Sequence, residues 1–294
     1  MVHTRRLLAF GDSLTAGYTD AGESFHPWAP LLQREFGLAT ADHIGLSGWT
    51  TAQMVQHLDA TAATDVCGRS WPGLRRSVRE ATDAGIPYDI VVIMAGTNDL
   101  ADYYTPEEVV ANLALLHSVA HSSGAKSVAI TIPESAGSVQ VRWLRELHQE
   151  ANAAVREWAL AQPAERLMLV DSNQLLPYAP GRFWEPDGLH MSCDGYQTFG
   201  TKLAAAIGPF VLAGSPGEAY LVAGRRVAVK GLQSAAEHNG KLGVLTSFHP
   251  DGQGQGRWGV RLEAGGIFLV RPSNLELVDM EMVGESQLSM PPSQ

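Results

Sequence analysis

The chain has 294 residues, 45% of them hydrophobic, with a formal net charge of −10. That is enough apolar material for a substantial core in one or two domains, and an acidic balance excludes broad binding to a phosphate backbone. Two cysteines, Cys67 and Cys193, are too few for a disulfide framework or a zinc site. The apolar run after Arg5 and Arg6 is too short for a signal-peptide core, and no stretch reaches membrane-spanning length. A cytoplasmic protein is the expectation.

Leu7-Leu8-Ala9-Phe10 reads as a buried strand that delivers Gly11-Asp12-Ser13-Leu14 to its carboxyl end, where open α/β sheets build their sites. Trp28 to Phe36 has helical spacing and stops at Gly37. A weaker strand over 38–44 leads into the loop Gly45 to Thr51, and helical patterns cover about 51–59 and 72–84. Tyr88 to Ala95 is almost continuously apolar and β-branched at four positions, the pattern of a central parallel strand, and it ends in Gly96-Thr97-Asn98-Asp99. Pro106 opens a helix with Glu107 and Glu108 in its first turn. A strand over Lys126 to Ile132, a helix over about 138–161, a strand over Arg166 to Val170 and a helix over about 195–212 complete the first 212 residues. Alternating strands and helices predict an α/β fold with a parallel sheet of five strands, for which 2-1-3-4-5 is the common order.

The pattern changes after Ala213-Gly214-Ser215-Pro216-Gly217. Five short β-like runs follow, at Arg226–Lys230, Leu242–Ser247, Trp258–Leu262, Gly266–Val270 and Leu275–Val278. They predict a small, strongly curved all-β module resembling SH3-like or KOW-like barrels. The expected organisation is an α/β domain over 1–213, a linker over 214–221, the barrel over 222–280 and a disordered tail over 281–294.

Several loop stretches carry groups with chemical potential. Ser13 at a strand end is either a nucleophile or a helix cap. Gly48, after Ser47, either makes a tight turn or brings a backbone amide close to a developing oxyanion. Asn98 offers a side-chain amide donor, or an Asx turn. Asp99 beside it reads as a structural group that holds the loop. Asp187-Gly188-Leu189-His190 places an acid and a base three residues apart across a glycine turn, so that Asp187 can face Nδ1 of His190 and leave Nε2 for Ser13.

Taken together and in order, these four stretches resemble the motif blocks of the SGNH (GDSL-type) hydrolases, and the resemblance spans roughly residues 5–212. It implies a three-layer, flavodoxin-like α/β/α fold. It also implies an ester hydrolase in which Ser13 is the nucleophile, His190 the base and Asp187 its orienting acid. Ser13 and Gly48 would offer backbone amides, and Asn98 its side chain, to the oxyanion. No metal or organic cofactor is implied. The Gly-x-Ser-x-Gly elbow of ordinary α/β-hydrolases is absent, Gly96-Thr97-Asn98-Asp99 stands where the family often has Gly-Gly-Asn-Asp, and Met191 follows the histidine. The expected partner is a small acyl ester, with no membrane span and no nucleic acid on the catalytic domain; the barrel's partner is left open. The competing reading is an interaction protein whose barrel binds protein or nucleic acid while the α/β domain is weakly active or inactive.

Overall fold

The computed structural model describes residues 3–38, 40–212, 220–221, 224–249, 257–263 and 265–278. The chain divides into two compact units, one formed by Thr4–Glu218 and the other by Met1–His3 with Ala219–Gln294.

The first unit is built on a parallel sheet of five strands: β1 (Arg6–Gly11), β2 (Thr40–Gly45), β3 (Ile90–Met94), β4 (Lys126–Ile130) and β5 (Leu167–Val170). Their spatial order is β2-β1-β3-β4-β5, the 2-1-3-4-5 arrangement expected from the sequence. The principal helices are α1 (Ala29–Phe36), α2 (Leu74–Asp83), α3 (Pro106–Ser122), α4 (Arg142–Leu160) and α5 (Cys193–Leu212). Strand side chains alternate between two cores, as the pleat requires. Leu7, Ala9 and Val92 join Trp28, Leu32, Phe199 and Leu203 on the face covered by α1 and α5. Leu8, Phe10, Val91 and Ile93 join Leu74, Leu113, Leu116 and Val155 on the face covered by α2, α3 and α4. A central strand buried on both faces has no polar side to show, which is why β3 reads as an unbroken apolar run.

Local rules set the helix ends. Thr105 caps α3 and exchanges side-chain bonds with Glu108 in a capping box, with Pro106 in the first turn, an arrangement worth about 0.5–2 kcal/mol. The single helix expected over 138–161 is interrupted. A short turn, Ala136–Gln140, is capped reciprocally by Ser135 and Ser138, and Val141 takes an extended conformation before α4 starts. The amide of Ala136 donates to the carbonyl of Gly188 at 2.7 Å, so this turn is bonded to the His190 loop as well as following β4. Two small hairpins have no counterpart in the sequence pattern, Tyr18–Thr19 with Ser24–Phe25 and Ala63–Thr64 with Ser70–Trp71. Strands of two residues carry no readable periodicity.

In the second unit, β6 (Arg226–Val229), β7 (Leu242–His249), β8 (Arg257–Leu262), β9 (Ile267–Val270) and β10 (Leu275–Leu277) form one antiparallel sheet in the order β9-β8-β7-β6-β10. Val227, Val229, Leu245, Trp258, Val260 and Leu275 make its core. Of the linker expected over 214–221, only Tyr220 and Leu221 are described, as a two-residue strand; the tail over 281–294 lies outside the described residues. Among the described residues, Cys67 and Cys193 are unpaired thiols, and no helix is long and apolar enough to cross a membrane.

Candidate active site

Strand order decides what meets at the top of the sheet. β1 lies between β2 and β3, with Gly11 level with Gly45 on one side and Met94 on the other. Neighbouring strands are about 4.8 Å apart, so the loops that carry Ser13, Gly48 and Asn98 emerge side by side. The chain reverses its direction of travel across the sheet at β1, the switch point where such sheets form their crevices.

Ser13 opens a single helical turn, Ser13–Ala16, whose N-cap is Asp12: its Oδ1 accepts from the amide of Leu14 at 3.0 Å. Gly11 has no freedom to be anything larger, since a Cβ there would lie 1.8 Å from the carbonyl oxygen of Met94. Asp12 is fully buried. Burial pushes its carboxyl up to about 7, and the nearby Asp99 adds to this, against the hydrogen bonds of Leu14 and Thr97.

The second loop is clasped from below by an ion pair. Asp65 is completely buried and bonds Arg69 at 2.8 Å. Its Oδ2 accepts from the amide of Ser47 at 3.3 Å, while Nη2 of Arg69 donates to the carbonyl of Gly45 at 2.8 Å and to Oγ of Ser47 at 3.2 Å. The adjoining Gly48 has φ +76°, the left-handed region that favours glycine, and a Cβ on it would press on the exposed side chain of Val66 at 2.7 Å. In the third loop, Nδ2 of Asn98 donates to the carbonyl of Trp49 at 2.9 Å. A carbonyl partner identifies the donor end of the amide, and the second hydrogen on Nδ2 remains for a ligand. Asp99 holds the two loops together by accepting from the amide and hydroxyl of Thr51. Burial raises its carboxyl pKa in spite of those bonds.

The fourth loop approaches from the start of α5. A bridge between Trp184 and Met191 closes it, and the amide of Glu185 donates to the carbonyl of His190 at 2.8 Å. Asp187 bonds its own loop: Oδ1 accepts from the amides of Leu189 and His190 at 2.8 and 3.0 Å, and Oδ2 lies 2.7 Å from Nδ1 of His190. Burial works against its charge, but the bonds from the His190 ring and from these two amides outweigh it and hold the carboxyl below its ordinary range. An ionised Asp187 only accepts, so the proton belongs on Nδ1 and the other ring nitrogen is left as an acceptor. Nε2 of His190 is 2.9 Å from Oγ of Ser13.

Ser13, His190 and Asp187 are therefore linked by two short hydrogen bonds, and Gly48 and Asn98 stand on the loops beside Ser13. Next to Asn98 and Asp187 a cleft of about 240 Å³ opens, lined by Leu100, Ala101, Ile132, Leu144 and Leu189 among others. Of the aromatic and apolar residues that flank the motifs, Leu14, Trp49, Trp184 and Met191 belong to the cores, whereas Tyr103 is exposed. No sequence signal marks Asp65, Arg69 or Tyr18. Asp65 and Arg69 have the i,i+4 spacing of an ordinary surface pair, and Tyr18, whose ring lies against His190, follows the serine in a stretch without pattern.

The sequence model of the GDSL-like Lipase/Acylhydrolase family matches residues 9–198. The chain belongs to this family. The match runs from β1 into α5 and so takes in all five candidate site residues. A lipase/acylhydrolase from Enterococcus faecalis is 26% identical, with a TM-score of 0.50 over 69% of this chain and 95% of that one. A carbohydrate esterase of family 3 from Talaromyces cellulolyticus is 15% identical, with a TM-score of 0.50 over 73% of this chain and 100% of the other. The second likeness is one of fold. The chain has no match among curated proteins. Family membership places this GDSL-like protein among the hydrolases of esterase and acylhydrolase type.

Proposed function

We propose that the chain is a serine hydrolase that cleaves acyl esters through an acyl-enzyme. The observation that carries this is the unbroken chain from Oγ of Ser13 through His190 to Asp187, at 2.9 and 2.7 Å. His190 takes the proton of Ser13 as Oγ attacks the ester carbonyl, and Asp187 keeps the ring in the Nδ1–H form and balances the imidazolium. The amides of Ser13 and Gly48 and the free N–H of Asn98 Nδ2 receive the oxyanion. His190 then gives its proton to the departing alcohol. Water, deprotonated by the same histidine, attacks the acyl-serine; the acid leaves, and the proton returns to Ser13.

Ser13 must be accessible to substrate yet held still, and it is 6% exposed in a turn fixed by Asp12. Chromogenic esters of increasing acyl length, assayed with Ser13→Ala as the control, test the reading. Wild-type turnover with a clear acyl preference supports it, and release of alcohol no faster than from the Ala variant on every ester removes it.

A further inference from the structure

The Tyr18 ring lies against the ring of His190, with centroids 4.1 Å apart and planes 30° from parallel. It is not free to drift from that place. Tyr196 donates its hydroxyl to the carbonyl of Tyr18 at 3.1 Å, and Phe25, across the small hairpin, meets the Tyr18 ring edge-on at 6.0 Å. Phe25 in turn carries the guanidinium of Arg69 at 3.6 Å from its ring centre. The same Arg69 braces Ser47 beside Gly48. One hairpin thus touches the histidine at one end and the support of the oxyanion loop at the other.

We propose that Tyr18 is a positioning residue for His190: its ring face holds the imidazole toward Ser13 and stabilises the imidazolium formed when Ser13 gives up its proton. This rests on the hydrolase reading above. A neutral imidazole gains only packing from such a stack. A cationic one is also attracted by the negative face of the ring, provided the charge lies within about 6 Å of its centre. The interaction is therefore stronger in the step where charge develops than before it, which is the condition for a contribution to rate. Asp187 and Ser13 bond the histidine ring, and further ionisable groups lie around these two and Tyr18. Asp187 and Glu185 come from the histidine's own loop, Ser13 and the buried Asp12 from the turn after β1, and Tyr196 from α5, where it couples to Asp12, Asp187 and Glu185. Cys67 approaches from the hairpin beyond Gly48, where it couples to Tyr18. Asp187 couples to the Tyr18 hydroxyl as well, and Tyr18→Phe removes both couplings while it keeps the ring face.

The test follows the ring proton of His190 by NMR through a pH titration of the full chain, assigned by its loss in His190→Asn. Tyr18→Phe keeps the ring face, whereas Tyr18→Leu and Tyr18→Met keep much of the bulk without it. The expected result is a midpoint about half a pH unit lower in the Leu and Met variants and nearly unchanged in Phe. The acid limb of kcat/KM should move with it, and kcat should fall about two- to fivefold at constant KM. Midpoints that coincide in all four proteins, or that rise in the Leu and Met variants as simple hydration of the ring would make them, overturn the proposal. The Met variant serves if the Leu variant does not fold. The titration reads the stack whether or not an ester is turned over. An inactive wild type therefore counts against the proposed function, while the midpoints alone decide the role of Tyr18.

Discussion

The two units differ most in where they bury polar groups. In the α/β unit, Asp12, Ser13, Ser47, Asp65, Asp99 and His190 are all buried, and they crowd the loops at the carboxyl ends of β1, β2 and β3 and the loop before α5. Among the described residues of the second unit no polar or charged residue is buried; its core is aliphatic apart from Trp258. Buried polar groups are costly unless bonded, and each one left half-satisfied costs about 1–3 kcal/mol. Each of the six gathered at this edge of the sheet makes hydrogen bonds within the surrounding loops, which is what lets so many sit there together. The second unit shows no comparable concentration.

That contrast can be broken in graded steps. The largest effect belongs to Ser13→Ala, which should lower kcat by about 10⁴–10⁶ while leaving the thermal unfolding of both units nearly unchanged; steady-state assay beside calorimetry checks both halves. Asn98→Ala should cost about 10²–10³ in kcat, with little change in KM because the lost donor acts on the oxyanion. A large rise in KM instead would make Asn98 a ground-state contact. Trp258→Ala, in the second unit, should destabilise that unit by about 3–5 kcal/mol. Differential scanning calorimetry would report this, with turnover unchanged; a parallel loss of turnover would show that the second unit supports the site.

The smallest step concerns Asp12. Its carboxyl is pushed up from 3.8 to about 7 in the fold, so between those values the native state keeps a proton that the unfolded chain has released. Stability contributed by this group therefore falls as pH rises from about 4 to about 7 and levels off above that. Asp12→Asn retains an acceptor for the Leu14 amide and removes the fall. Buried His117, held neutral in the fold, contributes a rise over the same range, so the signed change is what counts: from about pH 5 to about pH 8 the urea midpoint of the variant should fall less, or rise more, than that of the wild type. An equal change in both would show that Asp12 titrates normally.

Much of this architecture is legible in the residues because its signals are local. β3 is apolar throughout since both its faces are buried, and the loops with Ser13, Asn98 and His190 each follow a strand end or precede a helix that the pattern marks. Where structure depends on partners distant in sequence, the residues are silent. Asp65 and Arg69 have the spacing of a solvated pair but brace Ser47 from a buried position. The interruption at Val141 falls between a short turn, Ala136–Gln140, and the long helix α4, which the spacing of apolar residues joins into one pattern. Its first turn closes on its own serine cap and bonds Gly188, some fifty residues further along the chain. Tyr18 reaches His190 only because a two-residue hairpin folds back over the site.

Acylation of Ser13 is the step on which the proposed chemistry depends. A p-nitrophenyl alkylphosphonate, followed by digestion and mass spectrometry of the full chain, tests it most directly. The expected result is one phosphonyl group on the peptide carrying Gly11-Asp12-Ser13-Leu14, absent from Ser13→Ala and much slower to form in His190→Ala. No label on that peptide, or an equal label in the Ser13→Ala protein, would contradict it.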